Sequence, residues 1–214
     1  MIDKPVPGVQ TDARVHPAGK KGARMSLKEV AERAWKARMS PRLRAWVTQE
    51  LAKCKVSTGG RRQKAACVLA AFRKKVPYVA DPVMGEFMAT PNQVLCLDEG
   101  GLCIVGADCD ECSITLAAAM MSIGIDAMII GSSHHEPFDH PTHVFMAFKD
   151  DLGDWVRMDG TTEHPVGSAP PRIREFWVEP GESAKVSGEG DFVGMSGALG
   201  APHDLSDLIY PWAR

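Results

Sequence analysis

Between Asp108 and Gly124 the chain carries a helix with almost no polar side. Ile114, Leu116, Ala117, Ala118, Met120 and Met121 fall on every face of it. A helix that is apolar all round has to be buried, so the rest of the chain must be able to surround it. Asp108 is placed to cap its start, and Glu111 three residues on completes the capping-box form. Gly124 is placed to stop it. Cys109 therefore falls in the first turn, where free backbone N–H groups and the helix dipole favour a thiolate. Asp108, Asp110 and Glu111 act in the opposite direction, because nearby negative charge disfavours a second anion. A nucleophilic Cys109 needs a positive partner, and a histidinium is the natural one.

What precedes this helix reads as helical. Residues 1–24 are rich in Pro, Gly and charge without periodicity, and read as an extended arm. Ser26 caps a helix to about Met39. Ser40-Pro41 opens a second, with Leu43, Trp46, Val47 and Leu51 as its stripe. A third runs from about Arg61 to Lys75, and Pro77 ends it. The segment from Tyr78 to Val105 is broken by Asp81-Pro82, Gly85, Pro91 and Gly100-Gly101, and reads as a long loop over a site, with a helical turn near Asn92–Leu97. The expected division is an arm at 1–24, a helical segment at 25–58, a catalytic domain at 59–178 and a loop-rich tail at 179–214. In the tail, Leu205–Trp212 reads as a terminal anchor.

After the buried helix the period changes from helical to extended. Asp126–Gly131 reads as a strand. Ser132–Pro141 is a polar loop carrying His134, His135 and His140. Thr142–Lys149 alternates, with His143, Phe145 and Ala147 on one face and Val144, Met146 and Phe148 on the other. Asp150–Gly153 is a hairpin turn, and Asp154–Asp159 is the returning strand. A further strand is expected at Ile173–Val178. The hairpin sets His143, near the start of one strand, beside Asp159 at the end of the other. A helix packed on that sheet brings Cys109 to the same place. A thiol nucleophile, an imidazole base and a carboxylate that fixes the imidazole tautomer are what acyl transfer requires in this order of contact.

The residues around these three positions resemble the transglutaminase-like superfamily. The run from Gly106 to Ser113 (GADCDECS), with LAAAMMSIGI after it, looks like that family's G-D-C-D-D-x-(A/S) segment and the helix it opens. Thr142–Met146 resembles its H-V-(W/F)-(V/A) strand, and Trp155–Thr161 its W-(V/I)-x-(L/M)-D-x-T strand. Val76–Pro82 and Thr90-Pro91 are similar to the way such domains lead into the cysteine. The match covers about Arg61 to Gly167 and is most like compact microbial and phage-borne members. It implies an α+β papain-like core, a buried catalytic helix on a small antiparallel sheet, and N-terminal helices ahead of it. It carries over Cys109 as nucleophile, His143 as base and Asp159 as orienting acid. The backbone N–H of Cys109 is one expected oxyanion donor, and Gln93 is a candidate for the other.

The implied activity is amide acyl chemistry through a thioester on a protein or peptide substrate, as peptidase, deamidase or transglutaminase. Hydrolysis is favoured, since water is always present and no amine site is visible. No cofactor is called for, and no calcium loop of the D-x-[DN]-x-[DN]-G form is present. Three rival readings stand beside it. One keeps the fold as a non-catalytic structural or assembly protein, phage-virion related, docking a partner through the N-terminal helices or C-terminal tail. Another is a zinc module built from Cys96, Cys103, Cys109, Cys112, His140 and His143. The third is a Cys109–Cys112 redox dithiol. Glu163 is the runner-up orienting acid, and His164 a distant alternative base.

Composition narrows the partners. A net charge of −2 gives no electrostatic case for nucleic acid, and the basic residues between Lys20 and Lys75 read as solvated helix faces. No apolar run reaches the ~18 residues of a membrane span. No apolar leader is visible, so a cytoplasmic setting is expected, virion-associated if the chain is phage-borne. Six cysteines in such a chain are expected to be mostly free thiols, with Cys54 and Cys67 as small core residues and a Cys96–Cys103 bond as an alternative for that pair.

Overall fold

A computed structural model of the chain describes residues 20–80, 88–104, 106–133, 141–168 and 174–187. The expected loop residues Asp81-Pro82, Gly85, His134, His135 and His140, the arm as far as residue 19, and the Leu205–Trp212 anchor lie outside the described residues. Five helices and five strands follow in the order α1 (Lys20–Ala37), α2 (Pro41–Lys53), α3 (Arg61–Lys75), α4 (Pro91–Val94), α5 (Cys109–Ser122), β1 (Ala127–Ser133), β2 (His143–Lys149), β3 (Trp155–Met158), β4 (Arg174–Glu179) and β5 (Lys185–Ser187). The strands form one antiparallel sheet in the order β3-β2-β1-β4-β5. The fold is α+β, with helices on a small antiparallel sheet.

Burial of α5 organises the packing. From Glu111 to Met120 every residue is buried. α1, α2, α3 and α4 pack around this helix, and β1 and β2 lie against it. One apolar cluster runs from Leu27 and Val30 of α1, through Val68 and Phe72 of α3 and Ile114 and Leu116 of α5, to Ile129, Met146 and Phe148 of the sheet. The alternation of β2 shows directly. Val144, Met146 and Phe148 face α5, while Phe145 and Ala147 join Ile130 and Trp177 on the other face. At Gly131 in β1 the Leu27 side chain of α1 comes close to the sheet backbone. A Cβ there would sit 2.8 Å from Pro141 and 2.9 Å from the Leu27 side chain.

Local chemistry explains most element ends. Ser40 accepts from the Leu43 N–H at 3.3 Å to open α2, with Pro41 in its first turn. In the β2–β3 turn Asp150 Oδ1 accepts from Leu152 and Asp154, both at 2.9 Å. Gly153 takes the positive φ that closes the turn. Gly124 does the same after α5.

Three expectations are corrected. The extended arm ends earlier than residue 24: α1 already starts at Lys20, because helix propensity and the seating of Leu27 and Val30 in the core extend the helix backwards past Ser26. The tail is not all loop, since β5 pairs with β4 through Trp177↔Ser187 and Glu179↔Lys185. The thiols are not mostly free. Cys54, which ends α2, is bonded to Cys67 on α3, and Cys96 to Cys103 across a short loop, with Cα separations of 6.3 Å and 4.9 Å. Cys54 is thus an exposed helix end and not a core residue. Cys109 and Cys112 are the free thiols. Among the described residues no helix is long and apolar enough to cross a membrane.

Leu116 is 1 % exposed and Leu152 85 %. Leu116→Ala is expected to cost about 2–5 kcal/mol in urea unfolding, through lost burial and a cavity against Phe72. Leu152→Ala is expected to stay within about 0.5 kcal/mol of the unaltered chain.

Candidate active site

The N-terminus of α5 is held by a reciprocal cap. Asp108 Oδ1 accepts from the N–H groups of Asp110 at 2.8 Å and Glu111 at 3.5 Å. Glu111 Oε2 in return accepts from the Asp108 N–H at 3.1 Å. The Cys109 N–H, the first of the helix, is not one of those Asp108 takes. Ahead of the cap, Ala107 pairs with Tyr78 as an isolated parallel bridge, through Val79 N–H to Ala107 C=O and Ala107 N–H to Pro77 C=O, both 3.0 Å. Gly106, at φ 101°, makes the approach possible, since any Cβ there would overlap the Val79 side chain.

The helix start meets the sheet at a gap in its edge. β3 ends at Met158, opposite Met146, so the first residues of β2 have no strand on that side. At this edge the Val144 N–H reaches the Cys109 sulfur. Cys109 thus reaches β2 through its backbone edge, one residue from His143. The His143 ring lies with Phe145, 6.0 Å between centroids and 21° from parallel. Its Nε2 is 2.9 Å from Asp159 Oδ2. With the Nε2 proton on that bond, the exchangeable lone pair is on Nδ1.

Asp159 is itself fixed from several sides. Its Oδ1 accepts from the Thr161 N–H at 2.9 Å and the Thr161 hydroxyl at 2.7 Å. Arg73 of α3 donates through Nη2 to the carbonyls of Asp159 and His164, both at 2.7 Å, and so holds the turn that carries the carboxylate. Burial pushes the Asp159 carboxyl up, but the hydrogen bond and charge of His143, with the two Thr161 bonds, outweigh it and leave the group below the ordinary carboxylate range. Glu163 is exposed and acts on Arg73 by charge, while the carboxylate bonded to His143 is that of Asp159.

The thiol is held protonated. Burial pushes Cys109 up, Asp110 and Asp108 push it further, and the Val144 N–H pulls back too little. The net lies well above the ordinary thiol value. The hydrogen bond from Sγ to Asp110 Oδ1, at 3.6 Å, is a thiol donating to a carboxylate. Cys112, one turn on, is 3 % exposed and is driven up even by burial alone, with Asp108 and Asp159 adding to it. Tyr78 is also raised, first by partial burial and then by Cys109 and Asp108, which places its phenol within electrostatic reach of the same centre.

The remaining sequence candidates fall elsewhere. Gln93 caps α4: its Oε1 accepts from the Thr90 N–H at 2.9 Å and the Thr90 hydroxyl at 3.0 Å. Cys96 and Cys103 are bonded to each other and lost to any zinc set, and His140 lies outside the described residues. Among the described residues, Asp108, Cys109 and Asp110 bring one possible ligand atom each within 4.8 Å of one another. Sequence reasoning missed Arg73, Thr161 and the outward reach of Glu111. The Asp159-Gly-Thr161 spacing carried a signal for Thr161, while Arg73 looked like one more solvated cation of α3.

No family model matches the chain. No curated protein and no solved structure matches it either. The functional reading therefore rests on the geometry above.

Only thiolate reacts with iodoacetamide, and the Cys109 pKa lies above neutrality. Its labelling rate is expected to climb about tenfold per pH unit between pH 7 and 9, with Cys112 slower throughout, read by peptide mass spectrometry. A plateau below pH 8 would show a thiolate already formed.

Proposed function

We propose that the protein carries out cysteine-dependent acyl chemistry on amides, with a transglutaminase-like, papain-type core. The observation that supports this most is the His143–Asp159 pair, with Asp159 held in turn by Thr161 and Arg73, beside a cysteine whose sulfur meets the N–H of the next residue of the same strand. The polar end of an otherwise apolar helix is spent on placing that sulfur.

The high thiol pKa shapes the mechanism. Cys109 waits as a thiol and loses its proton on attack. His143 Nδ1 takes the proton as the sulfur adds to the substrate carbonyl, and a C–S bond forms. Asp159 stabilises the imidazolium. The oxyanion is placed at the Cys109 N–H, at the positive end of α5. Collapse breaks the C–N bond, and the imidazolium gives its proton to the leaving amine. Water then attacks the thioester, His143 takes its proton, and the C–S bond breaks to return the thiol. A primary amine in place of water gives transamidation through the same residues.

A second reading keeps the fold with an idle site. It is favoured by one observation, the two carboxylates that flank Cys109 and hold its thiol protonated.

Acetylation by p-nitrophenyl acetate separates the two. The catalytic reading expects a burst of one nitrophenolate per chain and an acetyl thioester on Cys109 by peptide mass. Cys109→Ala removes the burst. His143→Ala slows it by at least about 100-fold, and Asp159→Asn by less. Absence of any adduct on the folded chain, where the unfolded chain is acetylated, would establish the idle site. Glutamine peptides with and without a fluorescent primary amine then separate hydrolysis from transamidation.

A further inference from the structure

Glu111 does more than close the cap of α5. It is 5 % exposed, an unusual setting for a glutamate. One oxygen accepts from the Asp108 N–H at 3.1 Å, as a capping box requires. The other accepts from the Ala89 N–H at 3.2 Å, across 22 residues of sequence. The segment around Ala89 is pinned on both sides of that bond. Arg33 of α1 donates to the Met88 carbonyl at 2.9 Å, and the Thr90 N–H is held by Gln93. A single carboxyl thus ties the 88–90 segment, the Asp108 cap and the nucleophile's first turn together.

We propose that Glu111 is a positioning residue for Cys109: its carboxyl clamps the 88–90 segment and the Asp108 cap to the start of α5 and so fixes where the Cys109 sulfur sits. The inference rests on the reading of Cys109 as nucleophile. Burial first, then the hydrogen bond and charge of Asp108, push Glu111 up to about 9, so the acid form is the one present at neutral pH. Among the described residues, the other charged and titratable groups near the start of α5 include Cys109, Asp110 and Cys112 on α5, Glu29 and Arg33 on α1, Tyr78 beside Ala107, and the His143–Asp159 pair at the β2–β3 edge. Glu29 and Arg33 are paired with each other at 2.7 Å.

The test uses the full chain with Glu111→Gln and Glu111→Ala. Glutamine keeps one carbonyl acceptor and sets an amide N–H against the other backbone N–H, and alanine removes both acceptors. Amide exchange at Ala89 and at Met146 of β2 is followed by mass spectrometry at pH 7, and the Cys109 burst with p-nitrophenyl acetate is followed on the same chains. Ala89 exchange is expected to speed at least tenfold in E111A and less in E111Q, with Met146 unchanged. The burst rate is expected to fall at least threefold in E111A and less in E111Q. Ala89 exchange that E111A leaves alone, or a burst that E111A leaves at the unaltered rate, overturns the proposal. Failure of the nucleophile reading shows separately, as an unaltered chain without a burst. That outcome overturns the positioning of Cys109, and Ala89 exchange still decides the clamp.

Discussion

A helix without a polar face fixes where everything else goes. Once α5 is inside, its first turn is half-buried from Asp108 to Asp110, and the backbone N–H groups there need partners. Asp108 supplies them for Asp110 and Glu111, and Glu111 answers by binding Asp108. The cap is the condition under which α5 can be buried, and Cys109 sits within it. The early end of β3 is the matching condition on the sheet. A strand longer by two residues would pair with the start of β2 and close the edge that the Cys109 sulfur occupies.

The electrostatics of this centre pull against each other. The helix dipole and the Val144 N–H favour negative charge on Cys109, yet the carboxylates that make the cap oppose it and prevail. Low local dielectric sharpens both sides of the contest. Asp159 has the reverse balance, since a hydroxyl, an amide and an imidazole converge on a buried carboxylate and keep it ionised. Two kinds of acid therefore lie within one site: Asp159 held down by its donors, Glu111 pushed up by burial and by the Asp108 carboxylate beside it.

Much of this was legible in the chain. α3 and the start of α5 are marked by Gly60, Pro77 and the Asp108–Glu111 pair, and the structure places them there. The turn at Asp150–Gly153 announced the hairpin that brings His143 to Asp159. Those signals are local, written in capping and turn chemistry within four residues. The unread parts are distant contacts. Cys54–Cys67 depends on how α2 lies against α3, and no spacing rule gives that. Arg73 reads as a surface cation until the turn after β3 is folded over it. Ala89 carries no side-chain signal at all for its bond to Glu111, because it is the backbone that takes part.

The long reach of these contacts has a consequence for the chain as it is made. The sulfur of Cys109 meets Val144, the His143 ring is bonded to Asp159, and Asp159 is steadied by Thr161. Synthesis runs from the N-terminus, so Cys109 leaves the ribosome well before any of them. Until residue 161 has emerged, the Asp159 carboxylate lacks the Thr161 donors that hold it. Assembly of the site is delayed by chain order alone, and a nascent chain carries its parts unjoined through the tunnel exit.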